Sequence, residues 1–222
     1  MVADARAALA QGYTALKIKV GKDLQEDIAR VKAIAAAVAG RATLRLDANQ
    51  GWNARQSVQA LQRLEADGVP LELLEQPVKA ADIDGMAYVR ERIATPLMAD
   101  ESAFDARQAL ALVQQRAADI LNIKLMKTGG LSEARRVADI AALHGVPCMI
   151  GCMIETSISV AAAAHLAVAR ADAIALVDLD GPALCTFDPV LGGTRFEGPH
   201  IRLGDGPGLS IGEVRGVQWL PA

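Results

Sequence analysis

The chain has 222 residues, 52% of them hydrophobic and 22% charged, and carries a net charge of −3. Its apolar content and freedom from low-complexity tracts exclude a disordered protein, and 26 acids against 23 Lys and Arg argue against a nucleic-acid partner. The longest apolar stretches, such as Ser159–Ala169, reach about half of the ~20 residues that a membrane span needs. A helical turn or two over Ala3–Gln11 comes first, and MVADARAALAQGY lacks the basic start and apolar run of a signal peptide. Strand Leu16–Val20 then leads to a helix from Asp23 to about Ala39, where Asp23 and Glu26 have capping-box spacing. Strand Thr43–Asp47 precedes helix Ala54–Asp67, and strand Leu71–Glu75 precedes helix Asp82–Ile93. Strand Leu97–Asp100 precedes helix Ala106–Ala117, which Asp105 is placed to cap. Strand Ile120–Leu125 leads to helix Leu131–His144, stopped by Gly145 and Pro147. Strand Pro147–Cys152, helix Ser157–Arg170 and strand Ile174–Leu179 complete the series. After Asp180 the chain turns rich in glycine and proline, with short alternating pieces at His200–Leu203 and Val217–Leu220. Residues 1–180 are therefore expected to form one α/β body and residues 181–222 an appendage packed beside it. Three cysteines (Cys148, Cys152, Cys185) without zinc spacing favour a reducing compartment, so a cytoplasmic protein is expected.

Strands alternating with helices imply a parallel sheet, either doubly wound or closed into a barrel. A strand covered on both faces should be almost wholly apolar, yet nearly every strand here ends in polar or ionisable residues. From Lys19 through Asp47, Glu75, Asp100, Lys124 and Cys152 to Asp178 the steps are 28, 28, 25, 24, 28 and 26 residues. A doubly wound sheet gathers such residues mainly at one switch point, whereas a (β/α) barrel collects every strand end around one mouth. The barrel is favoured, although seven strands are predicted and a closed barrel has eight.

Asp47, Glu75 and Asp100 end three successive strands and so lie side by side. Any one of them could cap a helix or pair with a lysine, but three hard oxygen donors in register suit Mg²⁺. Lys17 and Lys19, two apart, share a strand face. A solvent-facing edge strand would explain them, but Lys124 stands in the apolar run ILNIKLM four strands away, where an unpaired charge is costly. A metal, a second lysine and partial burial would lower its pKa toward that of a base. Two bases facing each other across a metal suggest removal of a proton from one face of a carbon and its return on the other, next to a Mg²⁺-bound carboxylate. Lys127 is given no role. Nucleotide binding finds no GxGxxG or Walker A motif. A Cys152 nucleophile finds no histidine placed to activate it, since His144 and His165 fall on helices.

KIKVG, LDANQGW, LLEQP, MADES, NIKLMKTGG and GCMIETS, in this order and spacing, closely resemble the muconate-lactonizing subgroup of the enolase superfamily. The resemblance implies a modified (β/α)7β TIM barrel with an N-terminal capping domain, of which this chain lacks the cap and the first barrel strand. It implies Mg²⁺ held by Asp47, Glu75 and Asp100, catalysis by Lys19 and Lys124, and a Lys17 that neutralises a substrate carboxylate. Asn49 and Glu101 would support these groups through hydrogen bonds. VDLDGP, with Asp178 and Asp180 on one strand face, is similar to the DxD signature of dipeptide epimerases, in which the two acids bind a dipeptide's α-ammonium. Taken singly, Asp178 as a cap and Asp180 as a turn residue is the plainer reading. The resemblance thus implies a Mg²⁺-dependent isomerase that converts L,L- to L,D-dipeptides. Synthesis of o-succinylbenzoate, racemisation of N-acylamino acids, muconate cycloisomerisation and a non-catalytic barrel fragment stay open beside it. Exposed barrel edges suit a homo-oligomer.

Overall fold

Leucine- and isoleucine-rich runs of three to five residues form the strands of the main sheet, and a helix follows each of them in the chain. The computed structural model describes residues 1–218. Its strands are β1 (Ala15–Lys19), β2 (Thr43–Asp47), β3 (Leu71–Glu75), β4 (Leu97–Ala99), β5 (Ile120–Lys124), β6 (Cys148–Gly151) and β7 (Ile174–Asp178). They pair in sequence order and all in parallel, as one seven-stranded sheet. Helices α1 (Val2–Ala10), α2 (Leu24–Val38), α3 (Ala54–Ala66), α4 (Ile83–Arg90) and α5 (Ala106–Gln114) come from the first half of the chain. A single turn α6 (Leu125–Thr128), then α7 (Leu131–Leu143), α8 (Ser157–Ala169) and the short α9 (Gly181–Leu184) follow. Asp23 caps α2 by accepting from Gln25 N and Glu26 N, and Asp105 caps α5 through Gln108 N, both as expected. The full reciprocal capping box forms at Asn53 and Gln56 of α3.

Two cores lie on the two faces of the sheet. The larger packs Ile18, Leu44, Leu46, Leu74, Leu97, Leu121, Ile123 and Ile150 against the helices. The smaller fills the inside of the curl with Leu73, Met98, Ile120 and Met149, and Leu176 joins from β7. Strand alternation puts Asp47, Glu75 and Lys124 on this inner face, above that apolar layer.

The sheet is a curled, open barrel. Among the described residues no strand pairs with the outer sides of β1 and β7, but side chains cross that gap at two levels. Lys17 Nζ on β1 donates to Asp178 on β7 at 2.9 Å, and Arg45 Nη1 on β2 reaches Val177 O at 3.2 Å. A register shift between β2 and β3 at Leu44/Arg45 turns Glu72 toward Arg45, and the two form an ion pair. These ties hold the curl where backbone hydrogen bonds do not.

Some boundaries differ from the sequence reading. The helices predicted to reach Ile93 and Ala117 end at Arg90 and Gln114. In the second, Arg116 adopts a left-handed φ of 52° and Ala117 N turns back to Leu112 O, closing the helix early. Beyond β7 the chain forms two small antiparallel pairs: β8 (Val190–Gly192) with β11 (Ile211–Val214), and β9 (Arg195–Glu197) with β10 (His200–Arg202). The alternating piece expected at His200–Leu203 is β10, whereas Val217–Leu220 runs into residues 219–222, outside the described residues. Ile201 and Leu203 pack against the main core, and Asp188 accepts from Ser157 N and Oγ at the start of α8. Within the described residues no helix is long and apolar enough to cross a membrane.

Candidate active site

The loops that carry the site pack backbone to backbone. Gly21 has a φ of +103°, and a Cβ on Gly51 would lie 2.1 Å from Gly21 O, so KIKVG and LDANQGW fit together only with glycine at both places. Asn49 and Gln50 follow Asp47 in left-handed turns, with φ of 41° and 64°. That turn lets Asn49 N donate to Asp47 Oδ1 at 3.0 Å, while its side-chain Oδ1 accepts from Lys19 Nζ at 2.8 Å. Asn49 Nδ2 extends to Glu101 Oε1 at 3.4 Å.

The structure brings together all ten residues singled out from the sequence. Asp47, Glu75 and Asp100 are buried at the ends of three adjacent strands. A lysine stands at each end of this row: Lys19 Nζ lies 2.6 Å from Asp47 Oδ2, and Lys124 Nζ lies 2.6 Å from Asp100 Oδ2. Lys17 Nζ sits between the rest, 3.2 Å from Asp47 Oδ2, 2.7 Å from Glu75 Oε2 and 2.9 Å from Asp178 Oδ2. Asp178 is half-buried on β7, while Asp180 is exposed just before α9, within 4.0 Å of Cys152 Sγ.

Four contributors were not picked out from the sequence as site residues. Asn122, two before Lys124 and so on the same face, donates to Glu75 Oε1 at 2.9 Å. A Cβ at Gly151 would come within 2.8 Å of Asn122 Oδ1 and 3.2 Å of Lys124 Cε, so the glycine leaves room for both. Gln76, directly after Glu75, accepts from Asp100 N and Ser102 N. Lys127 turns inward from α6 and is buried against Asp100. The period of two would have exposed Asn122 beside Lys124; nothing in sequence spacing marks the inward turn of Lys127.

Burial and neighbouring charge shape the titrations. Burial foremost, with Asp47 and Asp100 nearby, pushes Glu75 up to about 7 against the pull of Lys17. Asp100 is raised by burial, but Lys127 and Lys124 outweigh this and bring it down to about 2. Burial favours a neutral Lys17, yet Glu75, Asp178 and Asp47 together raise its pKa. Lys124 behaves in the same way: burial lowers it, while the Asp100 ion pair and Glu75 reverse the sign and raise it. The lowered pKa expected for Lys124 is therefore not met while Asp100 holds its ammonium. Asp180 is raised by partial burial and by Asp178. Cys152 is pushed up by burial to about 11, so it carries little thiolate.

The donor set fits a hard divalent cation. Glu75 Oε2 and Asp100 Oδ1 are buried and accept no hydrogen bond of good geometry, although Lys17 and Lys127 lie 2.7 and 2.5 Å from them. These oxygens have lone pairs to give, and carboxylates are the ligands Mg²⁺ prefers. Among the described residues no three acids converge closely enough to hold an ion, and Lys17 and Lys124 pair with these carboxylates.

Comparison with known proteins places this architecture. Residues 1–213 match the family described as enolase C-terminal domain-like. An L-Ala-D/L-Glu epimerase of Clostridium acetobutylicum is 45% identical over 95% of this chain and 59% of its own length. The substrate-liganded L-Ala-D/L-Glu epimerase of Bacillus subtilis superposes with a TM-score of 0.93 at 44% identity, covering 96% of this chain and 59% of that one. The dipeptide epimerase of Enterococcus faecalis, in complex with Mg and the dipeptide L-Leu-L-Tyr, gives 0.90 at 47% identity, covering 95% and 59%. The chain spans about three fifths of the length of these relatives. Its open parallel barrel, its motifs and this match over almost its whole length agree: the chain belongs to the enolase C-terminal domain-like family.

Proposed function

We propose that this chain is the barrel portion of a Mg²⁺-dependent dipeptide epimerase, with residues 1–180 as the barrel and 181–222 as its appendage. The observation that carries the reading is the row of three buried carboxylates with Lys19 on Asp47 at one end and Lys124 on Asp100 at the other. Asp47, Glu75 and Asp100 would hold Mg²⁺, which supplies positive charge beside the substrate carboxylate and, by compensating these anions, lowers the pKa of the adjoining lysines. One of Lys19 and Lys124, in its neutral form, takes the α-proton of the C-terminal residue. The other, as an ammonium, returns a proton to the opposite face, so that configuration inverts and one hydrogen exchanges with solvent. Asn49 and Glu101 hold Lys19 in place, and Gly151 leaves Lys124 room to swing. Asp178 already pairs with an ammonium, that of Lys17, and with Asp180 it would receive the substrate's free amine. An N-acylated amino acid would leave both acids without that partner. Free Cys148, Cys152 and Cys185 suit a cytoplasmic protein.

The test is incorporation of deuterium from D₂O, by the full-length protein with and without Mg²⁺, into a library of L,L-dipeptides and N-acylamino acids, read by mass spectrometry. Mg²⁺-dependent exchange at the C-terminal residue is expected. Silence in both conditions removes the reading, and exchange confined to N-acylamino acids replaces it with a racemase.

A further inference from the structure

Lys127 is a charged residue with almost no solvent and no place in the proton-transfer scheme. Its side chain is 6% exposed, in the single turn α6 that follows β5. Its ammonium donates to Asp100 O at 2.6 Å and Asn122 O at 2.9 Å, and lies 3.4 Å from Ala103 O. Asp100 Oδ1 lies 2.5 Å away, and the Phe104 ring centroid 5.6 Å away. One side chain thus gathers carbonyls from the end of β4 and from β5.

The opposite side of the β4 turn is held from β3. Gln76 Oε1 accepts from Asp100 N at 2.9 Å and Ser102 N at 3.1 Å, and its Nε2 donates to Ser102 Oγ at 2.8 Å and Val78 O at 3.0 Å. The turn from Asp100 to Ala103 therefore has its N–H groups anchored by Gln76 and its carbonyls by Lys127. A three-residue strand such as β4 supplies little ladder of its own to hold that turn.

We propose that Lys127 is a positioning residue that clamps the Asp100–Ala103 turn against β5, with Gln76 as the opposing arm, and so fixes the aim of the Asp100 carboxylate toward the metal and toward Lys124. The assignment rests on the epimerase reading above. An ammonium does this better than a neutral donor because it can serve several acceptors at once, and its bonds are charge-assisted. A carboxylate on a loosened turn would bind a divalent cation less tightly and hold Lys124 less well, as removal of supporting partners does at metal sites.

The test compares Lys127→Met, which keeps the apolar stem, with Lys127→Arg, which keeps a multidentate cation, in the full-length protein. Mg²⁺ affinity is read by calorimetry, dipeptide α-proton exchange as kcat and KM, and amide hydrogen exchange of residues 98–105 without metal. Lys127→Met is expected to speed amide exchange in that segment and to weaken Mg²⁺ binding and kcat by about 10–100-fold, with a smaller change in KM. Lys127→Arg is expected to recover part of both losses. Native Mg²⁺ affinity and kcat in Lys127→Met, whatever its thermal stability, overturn the proposal. If Lys127→Met does not fold, Lys127→Arg and Ser102→Ala, which loosens the other arm, must show the same two losses in milder form, and their absence overturns it equally. A parent protein that neither binds Mg²⁺ nor exchanges the α-proton instead refutes the epimerase reading and takes this proposal with it.

Discussion

The mouth over β3–β5 and the seam between β7 and β1 are built from the same βα unit and end up opposite in character. At the mouth, charged groups are buried: every residue of β5 is buried, and even Lys124 is only 7% exposed. At the seam, apolar groups are exposed: Val168, Val177, Leu184 and Phe196 line a cleft of about 900 Å³ between β1, β7 and α1. The difference lies in neighbours. Each of β3, β4 and β5 is paired on both sides, whereas among the described residues β1 and β7 are each paired on one side only. A central strand can hide a charge because adjacent strands supply its counter-charges, while an edge strand leaves even valine uncovered. The mouth is thus specified by electrostatics and the seam is left to side-chain ties.

The sharpest way to break this contrast is to remove a charge from the mouth. Lys124→Met should lower dipeptide α-proton exchange by about 10²–10⁴-fold, the usual contribution of a positioned general base. The readout is single-turnover exchange in D₂O, with Mg²⁺ binding measured in parallel. Retention of parent exchange would transfer the base role away from β5.

Lys17 connects the two regions, since its ammonium bridges Asp47 and Glu75 at the mouth to Asp178 across the seam. Lys17→Met strands two buried carboxylates, and breaking such a pair costs about 3–5 kcal/mol. Urea unfolding in EDTA should show this loss, and Mg²⁺ should restore part of it by supplying the missing charge. Equal losses with and without Mg²⁺ would mean that the ion does not engage these carboxylates.

A third, smaller effect concerns pH. Glu75 titrates at about 7 in the folded chain against 4.5 for its ordinary value, so between these the folded state holds a proton that the unfolded state has lost. Stability in metal-free buffer should therefore rise as pH falls through this window, and Asp180, also raised, works in the same direction from its ordinary value of 3.8 upward. The lowered pKa of Asp100 works oppositely, but only below its ordinary value of 3.8. Calorimetry in EDTA should give a higher Tm at about pH 5.5 than at about pH 8, and Glu75→Gln should flatten that gradient. A gradient that survives the substitution would place the proton elsewhere.

Much of the mouth was legible because strands repeat every two residues and end where their polar residues begin. Lys17 and Lys19, Asp47, Glu75, Asp100, Lys124 and Asp178 all lie where that rule puts them. The supporting groups were harder to see. Lys127 is polar and follows a strand, as many solvated residues do, and only the inward turn of α6 buries it. The curl of the sheet was likewise inferred from strand ends, yet its ties, Lys17 to Asp178 and Arg45 to Val177 O, join residues 161 and 132 positions apart. No local pattern encodes contacts so distant.

The smallest expected effect tests the seam itself. Val177 is 49% exposed on an edge strand, so Val177→Ala should change unfolding free energy by no more than about 0.5 kcal/mol, as surface substitutions do. Leu74, on β3 and fully buried in the main core, provides the scale: Leu74→Ala should cost about 2–5 kcal/mol. The two are measured side by side by chemical denaturation of this chain. A ratio of several-fold confirms that burial, and not the βα repeat, decides what a side chain contributes here. If Val177→Ala instead costs more than about 1.5 kcal/mol, the seam is not a free edge in solution, because a half-exposed methyl pair contributes that much only when something covers it.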